Sequence, residues 1–144
     1  MKNIMTLMCA TAFLVGAVTS VASSAELRVE VEGLKESKGR LYAQLFQGAD
    51  NYAVGNPYAG TMTEVTGNDL GFSFSGLKPG AYAVRLYLDE NGNGKMDNNL
   101  FGIPTEKFGF SNKAMANYGP PSFEDMKVTV GPDDILVKTI VILQ

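Results

Sequence analysis

Apolar and polar residues alternate at period two in successive segments of this chain, and this pattern constrains the fold more than any other sequence feature. Leu27, Val29 and Val31 share one face of the first such segment, while charged residues occupy the other face. Residues 40–47 repeat the pattern, although aromatic and amide side chains stand at their outer positions. Such alternation is typical of half-buried β-strands, because successive side chains of a strand point to opposite faces.

The alternating segments and the turn-rich sequences between them predict about seven strands. Beyond the amino-terminal apolar run, no segment carries a sustained apolar repeat at helical spacing. We therefore expect an all-β fold, a single antiparallel Greek-key β-sandwich. A short helix is compatible with the weak apolar pattern between Gly48 and Gly60. The expected strands cover residues 26–32, 40–47, 61–66, 70–75, 82–88, 126–130 and 135–143.

Tyr82 stands at the start of the fifth expected strand, directly after the turn sequence at residues 77–80. Its hydroxyl is placed to anchor a corner by bonding to the upstream backbone, as tyrosines do in Greek-key sandwiches. An ordinary amphipathic core position explains the residue equally well.

Residues 1–25 have the features of a cleaved Sec-type signal peptide. Lys2 precedes an apolar run that ends at Val18, and small residues follow the run. Because the run is too short to span a bilayer comfortably, we expect cleavage, preferably after Ala25 and alternatively after Ala22. We therefore expect an exported protein, periplasmic or extracellular, that has no transmembrane anchor after cleavage.

The expected mature chain, residues 26–144, is a single domain whose composition excludes several kinds of chemistry. Cys9 lies inside the predicted signal and the sequence has no histidine, so cysteine catalysis, His-assisted serine catalysis and His-ligated zinc are excluded. Removing Lys2 from the 12 basic residues leaves 11 against 15 acidic residues, a net charge of −4. An acidic domain without a basic cluster is not expected to bind nucleic acid.

Residues 89–97, with the sequence DENGNGKMD, have the ligand spacing of a calcium loop. Oxygen-bearing side chains occupy positions one, three, five and nine, and Gly94 at position six permits the sharp turn that such a loop needs. At position seven the backbone carbonyl is the expected donor. We therefore predict a structural Ca²⁺ site at Asp89, Asn91, Asn93, Lys95 and Asp97.

The loop departs from a complete EF-hand, because position twelve is Leu100 rather than a bidentate glutamate. A further oxygen must come from a nearby side chain, from water, or from a carboxylate later in the chain. Two Asn-Gly dipeptides at residues 91–94 are also strong turn formers, so a solvated loop without an ion explains the same residues. The candidates for the further oxygen are Glu90, Asn98, Asn99, Glu106, Glu124 and Asp125.

Residues 100–125 form an expected long loop rich in glycine, proline and aromatic residues. Structureless connections of this length are uncommon in compact domains, and the aromatic residues are too apolar for a solvated linker. They either cap one end of the sandwich or form a surface that binds a sugar ring or an extended peptide. The candidate ligand surface comprises Glu106, Phe108, Phe110, Asn112, Tyr118 and Phe123.

Four stretches of the chain carry a family resemblance: LKPGAYAV at 77–84, DENGNGKMD at 89–97, FGIPTEKFGFSN at 101–112 and GPPSFED at 119–125. In these stretches the chain resembles a bacterial family known as domain of unknown function 2141. The resemblance covers essentially the whole expected mature domain and implies an exported bacterial protein without an assigned activity. The start of the fifth strand and the calcium-type loop are also similar to transthyretin-like and Ig-like sandwich modules, which implies architecture only.

These features lead to three hypotheses of function. We expect a non-enzymatic envelope or secreted binding module, in which Ca²⁺ organises the aromatic loop and the partner is an envelope protein or a glycan. The first alternative is a glycan-binding or weakly glycan-active accessory protein, because suitably separated carboxylates hydrolyse glycosidic bonds. The second alternative is a structural envelope subunit that pairs a strand edge with another protein.

Overall fold

The computed structural model of the protein describes residues 24–144. This part of the chain contains eight strands, two short α-helices and one 3-10 turn. The strands are β1 (Ala25–Glu32), β2 (Gly39–Gln47), β3 (Ala59–Val65), β4 (Leu70–Leu77), β5 (Gly80–Asp89), β6 (Phe108–Phe110), β7 (Val128–Val130) and β8 (Leu136–Ile142). The helical elements are α1 (Ala49–Ala53), the 3-10 turn (Ser111–Lys113) and α2 (Phe123–Met126).

These strands form two sheets. The smaller sheet has three strands in the order β4-β1-β8, and the larger sheet has five. In the larger sheet the strands β3-β2-β5-β6 are successive neighbours, and β7 pairs with β5. β1 and β8 run parallel, whereas the other pairs are antiparallel. A parallel pair requires a long connection, and β1 and β8 are the first and last strands of the described chain.

Both sheets contribute to one hydrophobic core. Leu27 and Val29 of β1 have no exposed surface, and Leu41 and Leu45 of β2 pack in the same cluster. Each fully buried aliphatic side chain of this kind favours folding by about 1.5–3 kcal/mol. The alternation in these two strands therefore predicts their core faces correctly.

The outer face of the larger sheet carries a second apolar cluster. Phe46 is fully buried on this face, and Tyr52 of α1 meets it edge-on, with ring centroids 5.4 Å apart. Phe123 and Met126 of α2 pack with Ala83 in this cluster. The covered outer face explains why aromatic and amide residues replace charged residues at the outer positions of β2.

Tyr82 makes the corner contact that the sequence allows. Its hydroxyl donates a hydrogen bond to the carbonyl of Lys78 over 2.9 Å and accepts one from the side-chain amide of Gln47 over 3.3 Å. Burial raises the pKa of Tyr82, Tyr58 raises it further, and the hydrogen bond to Lys78 opposes the change. The tyrosine therefore fixes the turn that leads into β5.

Three details of the predicted fold are corrected by the structure. The strand count is eight rather than about seven, because β6 lies inside the expected loop at residues 100–125. Its sequence Phe-Gly-Phe is too short to establish an alternation. The pair of β1 and β8 is parallel rather than antiparallel. Met126 ends α2 rather than beginning a strand, because Ser122 and Asp125 form a capping box that starts this helix. The Greek-key sandwich itself stays a prediction.

The predicted signal peptide falls outside the described residues, except for its last two positions. Ala25 is the first residue of β1 and is 2% exposed, so the first strand begins one residue before Glu26. Within residues 24–144, no helix has the length and apolar character needed to cross a membrane.

Candidate functional site

Asp89 ends β5 and begins the candidate metal loop, which we define as residues 89–97. Its fully buried carboxylate accepts hydrogen bonds from three backbone amides of that loop. Oδ1 accepts from Gly92 over 2.6 Å and from Asn93 over 3.2 Å. Oδ2 accepts from Gly94 over 2.8 Å. Both glycines have positive φ, 78° and 79°, so the loop combines a carboxylate anchor with two residues suited to left-handed backbone.

Asp97 contacts both asparagines of the candidate metal loop. The side-chain amide of Asn93 donates to Oδ1 and Oδ2 of Asp97 over 3.0 and 2.8 Å, and that of Asn91 donates to Oδ2. The side-chain oxygens of Asn91 and Asn93 accept backbone hydrogen bonds from Asn93 and Lys95, each over 3.0 Å. The five predicted ligand residues therefore belong to one hydrogen-bonded loop.

By its chemistry, the donor set of this loop fits a calcium ion. Ca²⁺ takes carboxylate, amide and carbonyl oxygens in irregular geometry, and rotation of an asparagine amide exchanges the positions of its nitrogen and oxygen. In the described residues no group of three or more His, Cys, Asp or Glu side chains is arranged to hold a metal. A metal site at residues 89–97 therefore depends on amide and backbone oxygens beside the carboxylates of Asp89 and Asp97.

Glu106 lies against the candidate metal loop and is 8% exposed. Its Oε1 accepts a hydrogen bond from the backbone of Glu90 over 3.0 Å, and its Oε2 accepts one from the backbone of Asp97 over 3.1 Å. One carboxylate thus ties the beginning of the loop to its end. The sequence offers Glu106 both as a further metal donor and as part of a ligand surface, and the structure places it beside the loop.

The segment after Asp97 folds back on the end of the candidate metal loop. The backbone amide of Thr105 donates to the carbonyl of Asp97 over 2.9 Å. At the tip, the side-chain oxygen of Asn99 accepts from the backbone amides of Phe101 and Ile103 over 2.9 and 3.1 Å. The expected aromatic loop, residues 100–125, is therefore held near its start by Asp97, the last residue of the candidate metal loop.

Tyr87 connects the candidate metal loop with the outer face of the larger sheet. Its hydroxyl donates to the carbonyl of Gly94 over 3.0 Å. Its ring stacks on Tyr42, with centroids 5.2 Å apart and planes inclined by 11°. Burial raises the pKa of Tyr87, and Tyr42, Asp89 and Glu106 raise it further. One side chain therefore contacts both the loop and the sheet face beside it.

A cavity of about 790 Å³ opens on this outer face and is called the ligand cavity below. Tyr42, Gln44, Arg85 and Tyr87 of the central strands form its floor. Cavities of this size with apolar lining are typical of small-molecule sites. Other lining residues are Met96, Phe101, Ile103, Pro104, Phe108, Phe110, Ala116, Tyr118 and Pro120.

The residues of the predicted ligand surface do not form one continuous surface in the structure. Phe108, Phe110 and Tyr118 line the ligand cavity, and the side chain of Tyr118 is fully exposed. Phe110 and Phe123, which are 4% and 8% exposed, both belong to the second apolar cluster. Asn112 donates its side-chain amide to a backbone carbonyl of α2 over 3.1 Å and does not line the cavity. The expected aromatic loop thus contributes to both packing and surface.

The floor of the ligand cavity is not predicted by the sequence patterns. Gln44 and Arg85 face each other in the register of β2 and β5, and the Arg85 guanidinium donates to Gln44 over 2.7 Å. The outer positions of β2, with Tyr42 and Gln44 where β1 has charged residues, were the available signal. Periodicity alone does not reveal which strand supplies the neighbouring side chains.

The sequence profile of the family DUF2141, described as an uncharacterized protein conserved in bacteria, matches residues 29–137. The matched range includes the candidate metal loop, Glu106 and all residues that line the ligand cavity. No curated protein and no solved structure matches the chain.

Proposed function

The chain belongs to this bacterial family of uncharacterised proteins, DUF2141, and on that premise we propose that it is an exported, non-enzymatic binding module with a structural calcium loop. The proposal takes the two sheets as a Greek-key β-sandwich with one ligand cavity on its outer face. Ca²⁺ fixes the loop at residues 89–97. This loop in turn holds the aromatic loop, residues 100–125, which contributes lining residues to the cavity. Export rests on the signal-like sequence of residues 1–25.

The contacts of Tyr87 are the observation that carries the proposal. Its hydroxyl bonds to Gly94 of the loop, while its ring stacks on Tyr42 in the cavity floor. The hydrogen bond between Thr105 and Asp97 adds a second connection, from the loop to the cavity wall. Because both connections run through the candidate metal loop, an ion that orders the loop also orders the cavity.

The charges around the loop support calcium binding. Asp89, Asp97 and Glu106 belong to one hydrogen-bonded unit, and both ion pairs found in residues 24–144 involve other carboxylates. None of these three carboxylates therefore has a basic partner in the described residues, and a divalent cation would supply the opposite charge. With amide and carbonyl oxygens completing the shell, we expect a modest affinity, with Kd about 10⁻⁵ to 10⁻³ M.

The positions of the carboxylates favour binding over hydrolysis. A glycosidase needs an acid and a nucleophile or base that face the same substrate. Glu106 is engaged with backbone amides, and Glu124 pairs with Lys127 over 2.6 Å. Neither glutamate lines the ligand cavity. The proposal therefore assigns binding without turnover.

A glycan-binding accessory protein is the first alternative. It would use Phe101 and Tyr118, which are 87% and 109% exposed, as a stacking platform for sugar rings. Glycan-array binding that is lost in Tyr118→Ala would favour this alternative.

An envelope subunit that pairs through a strand edge is the second alternative. It would use β3 or β4, each of which lies at the edge of its sheet. A stable complex with another protein that survives Tyr118→Ala would favour this alternative.

Calcium titration followed by ¹H–¹⁵N NMR tests the proposal. We expect the amide signals of Gly92 and Gly94 to shift together with those of Tyr87 and Phe101, and to saturate at millimolar Ca²⁺. Equal concentrations of Mg²⁺ should cause smaller shifts, because Mg²⁺ demands tighter octahedral geometry. Identical spectra with EDTA and with Ca²⁺ would refute the metal assignment. Shifts confined to residues 89–97 would refute the coupling to the cavity.

A further inference from the structure

Arg85 brings a positive charge to the mainly apolar ligand cavity. It lies partly buried on β5 and lines the cavity. Its Nη2 donates to the side-chain oxygen of Gln44 over 2.7 Å. Its guanidinium carbon lies 5.0 Å from the centroid of the Phe46 ring, which is a favourable cation–π distance. These two neighbours hold the guanidinium beside the cavity.

No carboxylate pairs with Arg85 in the part of the chain that the structure describes. The two ion pairs there use Arg40 and Lys127 as the cations, and no Asp or Glu lines the cavity. A guanidinium has five N–H donors, and the described residues accept one hydrogen bond from it, at Gln44. Partial burial of a charge without a counterion is unfavourable, so the cavity favours an anionic ligand.

The remaining surface of the cavity favours an apolar ligand body. Met96, Ile103 and Phe108 are among its lining residues, and Phe101 and Tyr118 remain 87% and 109% exposed at its opening. Large apolar side chains gathered around an opening are typical of ligand sites. The volume of about 790 Å³ lies in the range of roughly 300–1,000 Å³ that holds drug-sized molecules.

The charge of the lining residues indicates which anionic group the ligand carries. Arg85 is the one basic residue among the described residues that line the cavity. Its planar fork matches a single carboxylate through two parallel hydrogen bonds. A phosphate dianion would leave one of its charges unpaired at the same place. A carboxylate therefore suits this cavity better than a phosphate.

We infer that the ligand cavity binds an amphipathic monocarboxylate, whose carboxylate pairs with Arg85 and whose hydrocarbon or aromatic body lies along Tyr42, Tyr87 and Ile103. This inference rests on the proposed function, because it assigns a ligand class to the proposed binding cavity.

Calorimetric titration of the purified protein in excess Ca²⁺ tests the ligand class. The probes are octanoate, whose calcium salt stays dissolved at these concentrations, and 4-phenylbutanoate, each compared with its neutral amide. Acetate and glucuronate supply a carboxylate without an apolar body. We expect at least one of the two amphipathic acids to bind, and its amide to bind at least about tenfold more weakly, as for other hydrogen bonds to charged groups. Acetate and glucuronate should give no saturable heat.

Two matched arginine variants locate the carboxylate. Arg85→Gln should weaken binding of the acid at least about tenfold and leave the weak binding of its amide unchanged. Arg28→Gln makes the same charge change on β1 of the smaller sheet and should alter neither. If Arg85→Gln fails to fold, the comparison of acid with amide in the unaltered protein decides alone.

Several results would overturn the inference. They are failure of both amphipathic acids to bind, equal affinity for acid and amide, unchanged acid binding in folded Arg85→Gln, or tighter binding of glucuronate than of either amphipathic acid. Calcium-dependent stabilisation is measured on the same samples. If Ca²⁺ stabilises the protein but the acid binds no more tightly than its amide, the inference fails and the calcium module stands. If this stabilisation is missing and acid binding depends on Arg85, the calcium part of the proposed function fails and the inference stands.

Discussion

The carboxylate of Glu106 accepts a hydrogen bond from the backbone amide of Asp97 over 3.1 Å, although the two residues are nine positions apart in the sequence. The other oxygen of the same carboxylate accepts from Glu90 over 3.0 Å. Glu106 therefore joins the first turn of the candidate metal loop to its last residue. This arrangement orders both ends of the loop before any ion is considered.

Replacement of Glu106 by glutamine should destabilise the protein. The amide retains one acceptor oxygen, so one of the two backbone donors, at Glu90 or Asp97, loses its partner. A hydrogen bond to a charged group contributes about 1.5–3 kcal/mol, and denaturant unfolding of Glu106→Gln measures its loss directly. Glu124→Gln is the control, because Glu124 makes a surface ion pair with Lys127, worth about 0–1 kcal/mol. Equal unfolding free energies for the two variants would contradict this role of Glu106.

Replacement of Gly39 by alanine should disturb the end of β5 that carries Asp89. Gly39 has φ of +122°, and an added Cβ would lie 2.2 Å from the backbone oxygen of Asp89. Gly55 also has positive φ, +68°, but an added Cβ there meets no atom within 4 Å. Gly55→Ala thus measures backbone strain alone, about 1–2 kcal/mol. We expect Gly39→Ala to cost clearly more in unfolding free energy, and a smaller cost than that of Gly55→Ala would disprove the close approach.

Removal of the Tyr82 hydroxyl should weaken the corner before β5. Tyr82→Phe keeps the buried ring but deletes the hydrogen bond to the carbonyl of Lys78, so the unfolding free energy should fall by about 1 kcal/mol. Tyr118→Phe is the matched control, because the side chain of Tyr118 is fully exposed. Loss of stability in the control but not in Tyr82→Phe would speak against the corner.

Stability should decline at alkaline pH because the pKa values of three tyrosines, Tyr52, Tyr82 and Tyr87, are raised in the folded state. Burial raises the pKa of Tyr52 and of Tyr82 above the ordinary value of 10.0, and Arg85 partly opposes the change at Tyr52. Their protonated forms therefore stabilise the fold below pH 10, and this contribution is lost as the pH rises through the raised values. Urea unfolding at roughly pH 8 to 11 should show the decline, and Tyr52→Phe should make it shallower. An identical decline in Tyr52→Phe and Tyr82→Phe and in the unaltered protein would contradict the assignment.

The alternation predicts long strands well because their side chains meet two different environments. The apolar faces that alternation predicts for β1 and β2 all lie in the core: Leu27, Val29 and Val31 in β1, and Leu41, Ala43 and Leu45 in β2. β6 cannot be predicted from alternation, because it has only three residues and Gly109 is the central one. An added Cβ at Gly109 would lie 2.5 Å from the side chain of Val141. The glycine that permits this close contact also removes the pattern.

Part of the candidate site can be predicted from neighbouring residues in the sequence, and part depends on contacts between residues that are distant in the sequence. Spacing places the predicted donors on one loop, because residues 89–97 are contiguous. The ligand cavity needs Gln44 and Arg85 from two strands and Tyr118 from a distant turn. Their proximity follows from strand register, which single-sequence patterns do not determine.

Thermal unfolding with excess EDTA and with saturating Ca²⁺ tests the calcium module most directly. An ion that binds the folded state alone stabilises it by about 2.7 kcal/mol at 100 times Kd, which corresponds to a rise in Tm of roughly 10 °C for a domain of this size. We predict that rise in the unaltered protein and in Tyr118→Ala, and its loss in Asp97→Asn. The same Tm for the unaltered protein under both conditions would contradict the calcium module.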